Sequence, residues 1–286
     1  MANKILITGG TGTVGSVLLE KLAATDANVR ALVRRQGKAE RIEASGIEAV
    51  IGDLDKPETL PAALNGVEKV FLLTSPTERQ GELERNVIAA AKNAGVSHIV
   101  KLSAIGAGPD APPLIRDHYL IEQEIERAGI PHTYLRPNGF MQNMLMTAPT
   151  IKEKGVFYGP LGEAKVSYVD ARDIAAVAAA VLTGDGHQGK AYEITGPQSL
   201  SSKEVAQEFS SVLGKDVQYI DLPLEAMRSS MLGTGMSAWL TDRLIGLFEF
   251  YRNGRAAAVS NVVREVTGQE PITLRQFVRE HVEAFE

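Results

Sequence analysis

Short runs of apolar residues alternate with longer, polar-studded segments through the first half of the chain. KILIT, NVRALV, EAVIG, KVFLL, HIVKLS and PHTYLR are compact and rich in branched side chains, which predicts six strands. Each of the first five is followed by a helical segment. In the first, Val14, Leu18 and Leu22 fall at i, i+4 and i+8, with Glu20 and Lys21 off that stripe. Strands and helices taking turns predict parallel strands joined by helical crossovers. The stretches at 5–7, 71–73 and 99–102 are nearly continuous in apolar residues, as strands covered on both faces require. The expected fold class is α/β, a doubly wound parallel sheet of Rossmann type.

After Pro137 the rhythm changes. FMQNMLM reads as a Met-rich helix, glycine-punctuated strands follow from Gly155 to Tyr168, and DARDIAAVAAAVL reads as a helix. This places a first domain, carrying the parallel sheet, at 1–137, completed by about 165–196, and a smaller, discontinuous lobe at 138–164 and 197–286. Two helix starts in that lobe carry the S/T-x-x-E/Q pattern of a capping box: Ser201 with Glu204, and Thr273 with Gln276.

The first strand breaks into TGGTGTVG, with Gly9, Gly12 and Gly15 spaced as GxxGxxG at the turn into the first helix. Glycine inside an element costs about 0.5–1 kcal/mol relative to alanine, so the cluster needs a local reason. A diphosphate supplies one: the turn needs freedom from Cβ, the backbone must approach the anion, and helix must pack closely on strand. The helix N-terminus adds unpaired N–H groups and the positive end of its dipole. At the end of the second strand, where a NAD site usually places an acid on the ribose, stand Arg34 and Arg35. A guanidinium fork there suits a 2'-phosphate, which predicts NADPH in preference to NADH. Arg34, first after the strand, is the favoured contact and Arg35 the alternate; the other reading is a pair of solvated loop arginines.

Composition narrows the class further. Of 286 residues, 44% are hydrophobic and 23% charged, the usage of an ordinary globular protein rather than a disordered chain. The formal charge of −5 and the absence of any basic block longer than Arg34-Arg35 argue against nucleic-acid binding. With no cysteine there is no disulfide, thiolate nucleophile or cysteine-ligated metal, and no metal site is expected. The N-terminus shows no secretory pattern, and the longest helical apolar run, IAAVAAAVL, is too short to span a bilayer. A cytoplasmic protein is expected, with a homo-oligomer left open.

TGGTGTVG, the double arginine, GDLDKP after the third strand, RPNGFMQNML and VDARDIAAVAAAVL occur in that order. In these the chain resembles the NmrA-like atypical short-chain dehydrogenases/reductases over nearly its whole length, and within them the bacterial NAD(P)H azoreductase branch, beside quinone and triarylmethane-dye reductases. The resemblance implies that Gly9, Thr11, Gly12, Thr13 and Val14 wrap the pyrophosphate and Arg34 the 2'-phosphate. It implies Asp53 and Leu54 at the adenine edge, although Asp53 also reads as a solvated turn acid. Thr74 and Ser75, at the end of the fourth strand, would line the ribose and nicotinamide side. Asn138, Gly139 and Phe140 would face the nicotinamide and substrate.

One departure bears on chemistry. Most short-chain dehydrogenases pair a proton-donating Tyr with a Lys four residues later, and counting back from the AGIP turn those places hold Leu114 and His118. An electron-poor acceptor needs no strong acid, because charge spreads over a quinone, azo or cationic dye framework. His118, with an unperturbed pKa near 6.5, is a candidate donor of the balancing proton; water, or a purely structural histidine, is the alternative. Phe140, Met141 and Met144 read either as a pocket for a small aromatic substrate or as core. Met227, Met231, Met236 and Trp239 read as a lid or as a buried patch. The functional expectation is an NAD(P)H-dependent reductase of electron-poor aromatics, the alternative a non-catalytic NAD(P) redox sensor. A sugar-nucleotide epimerase is disfavoured for want of the tyrosine.

Overall fold

The computed structural model describes residues 4–286. In chain order the first part runs β1 (Lys4–Ile7), α1 (Thr13–Ala23), β2 (Asn28–Val33), α2 (Gln36–Glu43), β3 (Glu48–Ile51), α3 (Leu60–Leu64), β4 (Val67–Leu72), α4 (Gln80–Asn93), β5 (His98–Leu102), α5 (Pro113–Ala128) and β6 (His132–Pro137). The sheet order is β3-β2-β1-β4-β5-β6, with a seventh strand, β9 (Lys190–Ile194), beside β6. Adjacent strands from β3 through β6 pair in parallel, in registers such as Ile5 with Val29 and Val70 with Ile99. The expected doubly wound sheet is therefore present.

Its physical basis is the double coverage foreseen from the apolar runs. Ile5, Leu6, Ile7, Val70, Phe71, Leu72, Ile99 and Val100 are all buried, and so is the stripe of α1, Val14, Leu18 and Leu22. Winding reverses between β1 and β4, which are neighbours in the sheet but not in sequence. Crevices open outside the carboxyl ends of strands at such a switch point.

The chain forms two compact units. One consists of the described residues up to Ala104, with Asp117–Arg136 and Ile174–Tyr192. The other consists of Ile105–Arg116, Pro137–Asp173 and Glu193–Glu286. The latter contains α6 (Ala148–Lys154), β7 (Val156–Gly159), β8 (Lys165–Val166), β10 (Leu200–Ser201), α8 (Ser202–Leu213), β11 (Gln218–Asp221), α9 (Leu224–Gly233), α10 (Ala238–Arg252), α11 (Val262–Thr267), α12 (Leu274–Glu280) and α13 (Val282–Phe285). α7 (Ala171–Thr183) lies between β8 and β9 in sequence. The core of this second unit gathers Met141, Met144, Ile151, Phe157, Phe209 and Phe277.

The Met-rich segment is a 3-10 helix over Met141–Thr147, not an α-helix; α6 begins only at Ala148. At α8 the capping box is complete: Ser201 Oγ accepts from the Glu204 N–H and Glu204 Oε2 from the Ser201 N–H. Thr273 makes only half of one, because Gln276 turns its amide to Glu280. The VDARD segment is a clasp. Asp170, fully buried, accepts from the Arg172 backbone and guanidinium and from Gln142, while Arg172 reaches Glu280 and Asp173 accepts from the Ile272 N–H. Burial pushes the Asp170 carboxyl up, but the bonds from Arg172 and Gln142 outweigh it and hold it below the usual range.

Candidate cofactor and active site

The glycine turn is built by steric necessity. Gly9 has φ +67°, and a Cβ there would lie 2.8 Å from both the Leu73 carbonyl oxygen and its Cγ. A Cβ on Gly15 would fall 2.1 Å from the Gly9 carbonyl oxygen, so α1 seats on the strand end only because that residue has none. Gly12 is the N-cap of α1 in extended backbone, with no side chain capping the helix and no acid in its first turn. Thr11, Gly12 and Thr13 are exposed. Uncapped N–H groups on an exposed, anion-free helix start fit a diphosphate. Val14 contributes only its backbone, since its side chain is in the core.

Across the switch point, Thr8 ties β1 to the end of β4: its hydroxyl accepts the Leu73 N–H at 2.8 Å and lies 2.9 Å from the Leu73 carbonyl oxygen. Thr8 was not singled out from sequence; a buried hydroxyl closing an apolar strand was the available signal. Thr74 and Ser75 sit just past β4, which ends at Leu72, and so belong to the following loop rather than to the strand. Together the loops after β1 and β4 flank the switch point.

Arg34 and Arg35 are exposed after β2, and neither guanidinium forms an ion pair among the described residues. Arg35 is also the N-cap of α2. Asp53 closes a turn: its Oδ1 accepts the Asp55 N–H at 3.1 Å and its backbone is bracketed by the Thr59 hydroxyl. The turn-acid reading thus describes its fold role, with Oδ2 outside that bond. Leu54 packs on the core and its carbonyl accepts from Asn86.

In the second unit Asn138 is buried and committed. Its amide donates to Ser167 Oγ and the Ala256 carbonyl, both at 2.8 Å, and its Oδ1 accepts the Gly139 N–H. Gly139 lies against Tyr168 and Tyr251, where a Cβ would meet both at 3.2 Å, and Phe140 is half-buried. Met141 and Met144, one of whose readings was a substrate pocket, are core residues at 2% and 8% exposure; the pocket assignment is corrected for both. The exposed methionine of the segment is Met146, at 77%. Of the later patch, Met231 is buried, Met227, Met236 and Trp239 are half-buried, and Trp239 lies beneath the Arg243 guanidinium.

The structure adds a cluster behind Thr74 that sequence reasoning missed. Lys101 on β5 and Glu84 on α4, both with fully buried side chains, pair at 3.1 Å. Thr74 donates its hydroxyl to the same Glu84 oxygen at 2.6 Å, and His118 Nδ1 lies 3.4 Å from Lys101 Nζ. One turn further along α5, Glu122 is held by Arg136 and by Ser103 Oγ. His118 needs a correction. Burial, and then the Lys101 charge, hold its imidazole well below the ordinary value, so near neutrality it has no imidazolium proton to give. Among the described residues no cluster of His, Asp or Glu is placed to hold a metal. No helix there is long and apolar enough to cross a membrane.

Known proteins share this architecture end to end. An NAD(P)H azoreductase of Xenophilus azovorans is 44% identical over 283 residues, covering 98% of this chain and 99% of that one. A (4-alkanoyl-5-oxo-2,5-dihydrofuran-3-yl)methyl phosphate reductase of Streptomyces griseus is 39% identical, covering 98% and 99%. The NADPH complex of the Escherichia coli quinone oxidoreductase QOR2 superposes with a TM-score of 0.91 at 32% identity, covering 98% and 99%. The NmrA-like family model matches residues 1–274. The chain is a member of the NmrA-like family.

Proposed function

We propose that this protein is an NADPH-dependent reductase that delivers hydride to an electron-poor aromatic acceptor of quinone, azo or triarylmethane-dye type. The observation that carries the reading is the glycine turn at the switch point, uncapped, exposed and sterically closed to any side chain at Gly9 and Gly15. Backbone N–H groups of Thr11, Thr13 and Val14 hold the diphosphate, the Gly12 N–H being spent on the Gly9 carbonyl, and Arg34, unpaired and just past β2, takes the 2'-phosphate. Asp53 and Leu54 border the adenine, Thr74 and Ser75 the ribose, and Gly139 and Phe140 the acceptor. When bound, the reduced dinucleotide supplies hydride. The chain's own residues hold and orient, and a delocalised acceptor accommodates the charge that arrives. Relatives named for NAD(P)H azoreduction and NADPH-dependent quinone reduction support this chemistry.

The test is consumption of reduced nicotinamide, followed by absorbance, with NADPH and NADH against a benzoquinone, an azo dye, a cationic triarylmethane dye and an unsaturated lactone. The expected result is turnover of at least one acceptor, faster with NADPH. Binding of NADPH with no turnover of any acceptor would replace the reductase by a redox sensor.

A further inference from the structure

Lys101 stands between the apolar Ile99, Val100 and Leu102 of β5, and its ammonium is wholly enclosed. A lysine side chain is almost never buried without partners, and here three protons meet three acceptors. These are Glu84 Oε1 at 3.1 Å, the Leu102 carbonyl oxygen at 2.5 Å and His118 Nδ1 at 3.4 Å. An ammonium has no lone pair, so Nδ1 is the acceptor in the last contact. The ring proton of neutral His118 is therefore on Nε2, and Nε2 has no partner among the described residues of the same unit. The charged groups facing the ring are Lys101 from β5 and, behind it, Glu84 from α4; on α5 itself Asp117 and Tyr119 are its sequence neighbours and Glu122 is engaged by Arg136.

We infer that Lys101 is a positioning residue which fixes His118 as the neutral Nε2–H tautomer, so that this N–H donates a hydrogen bond to the acceptor atom on which negative charge develops. The inference rests on the reductase reading and deepens it. Hydride brings two electrons to the acceptor; its new bond leaves a negative charge on a quinone oxygen or azo nitrogen; His118 stabilises that atom without giving up its proton, and solvent water supplies the proton that completes reduction. Neutral imidazole held by its surroundings is an effective electrophile of this kind. The lysine that short-chain dehydrogenases carry at the position of His118 is thus replaced by one from the neighbouring strand, one residue removed from the acceptor.

The geometry predicts two separate readouts. Nitrogen NMR of the ligand-free protein reads the tautomer directly: His118 shows Nε2–H and does not titrate between about pH 5.5 and 8, where a free histidine would. In Lys101→Met the ring is no longer held as the Nε2–H tautomer alone, and the Nδ1–H form appears. In assays, Lys101→Met lowers kcat for a quinone about tenfold with KM little changed, because a transition-state donor is misplaced. Reduction of a cationic triarylmethane dye changes by less than about twofold, since hydride there neutralises charge and leaves no anion to stabilise. A His118 ring in wild-type protein that carries its proton on Nδ1, or titrates near its ordinary value, overturns the inference even if no Lys101 variant folds. Equal losses for quinone and dye in Lys101→Met also overturn it. Absence of turnover with every acceptor defeats the reductase reading instead, and leaves the tautomer measurement to stand or fall separately.

Discussion

Gly15 lies so close to Gly9 that a single methyl group would fall 2.1 Å from the Gly9 carbonyl oxygen. Both residues hold the start of α1 against the end of β1, with the exposed residues Thr11, Gly12 and Thr13 between them. Gly15→Ala forces that junction apart and is expected to cost about 2 kcal/mol or more of unfolding free energy. NADPH affinity falls with it, by calorimetry. Gly37→Ala is the control: it lies in α2 with nothing within 4 Å of its Cβ, and should be neutral or stabilising by up to about 1 kcal/mol.

Arg34 stands unpaired where a 2'-phosphate would lie. Arg34→Ala removes a charge-assisted bond worth about 1.5–3 kcal/mol, so KM for NADPH should rise about ten- to hundredfold. KM for NADH should not move. Steady-state kinetics with both cofactors make the comparison, and Arg35→Ala is expected to have the smaller effect.

His98, only 2% exposed at the start of β5, sets an acid limit on stability. Thr133 donates its hydroxyl to the His187 carbonyl and so accepts from His98 Nε2. Burial, with the charges of Lys69, His132 and His187, lowers its pKa to about 4. The unfolded chain titrates near 6.5 and binds the proton first, so this stability is complete above that pH and is lost as pH falls toward 4. The loss amounts to about 3 kcal/mol from His98. Urea unfolding across that range measures it, and replacing His98 should flatten the slope.

Met141 and Met144 are core, and their truncation should read as stability rather than catalysis. Met141→Ala is expected to cost about 2–5 kcal/mol in denaturant unfolding while KM for the acceptor, measured on folded protein, holds. Exposed Met146→Ala should change stability by less than about 0.5 kcal/mol.

What was legible in the sequence follows from which signals are local. Gly9, Gly12 and Gly15 declare a backbone geometry that no other residue satisfies, and Val14, Leu18 and Leu22 declare a face, so the sheet and its turn could be read directly. Lys101 could not be placed in the same way. In HIVKLS the surrounding apolar residues outvote it, and its side-chain partners Glu84 and His118 reach it from two other segments. A lysine inside a strand covered on both faces was the one clue. His118 was misjudged because its proton affinity is lowered first by burial and then by that hidden ammonium, neither of which shows in its local sequence. Met141 and Met144 carry the same thioether whether they line a pocket or fill a core, and only packing against Phe157, Phe209 and Phe277 decides. Asn138 followed the family motif, yet its amide is spent on Ser167 and Ala256.

Calorimetric titration of NADPH into the wild-type protein tests the central claim most directly. The account predicts saturable heat with one dinucleotide per chain, weaker with NADH and lost when Gly15 is replaced. No heat from NADPH or NADH at micromolar protein would contradict it.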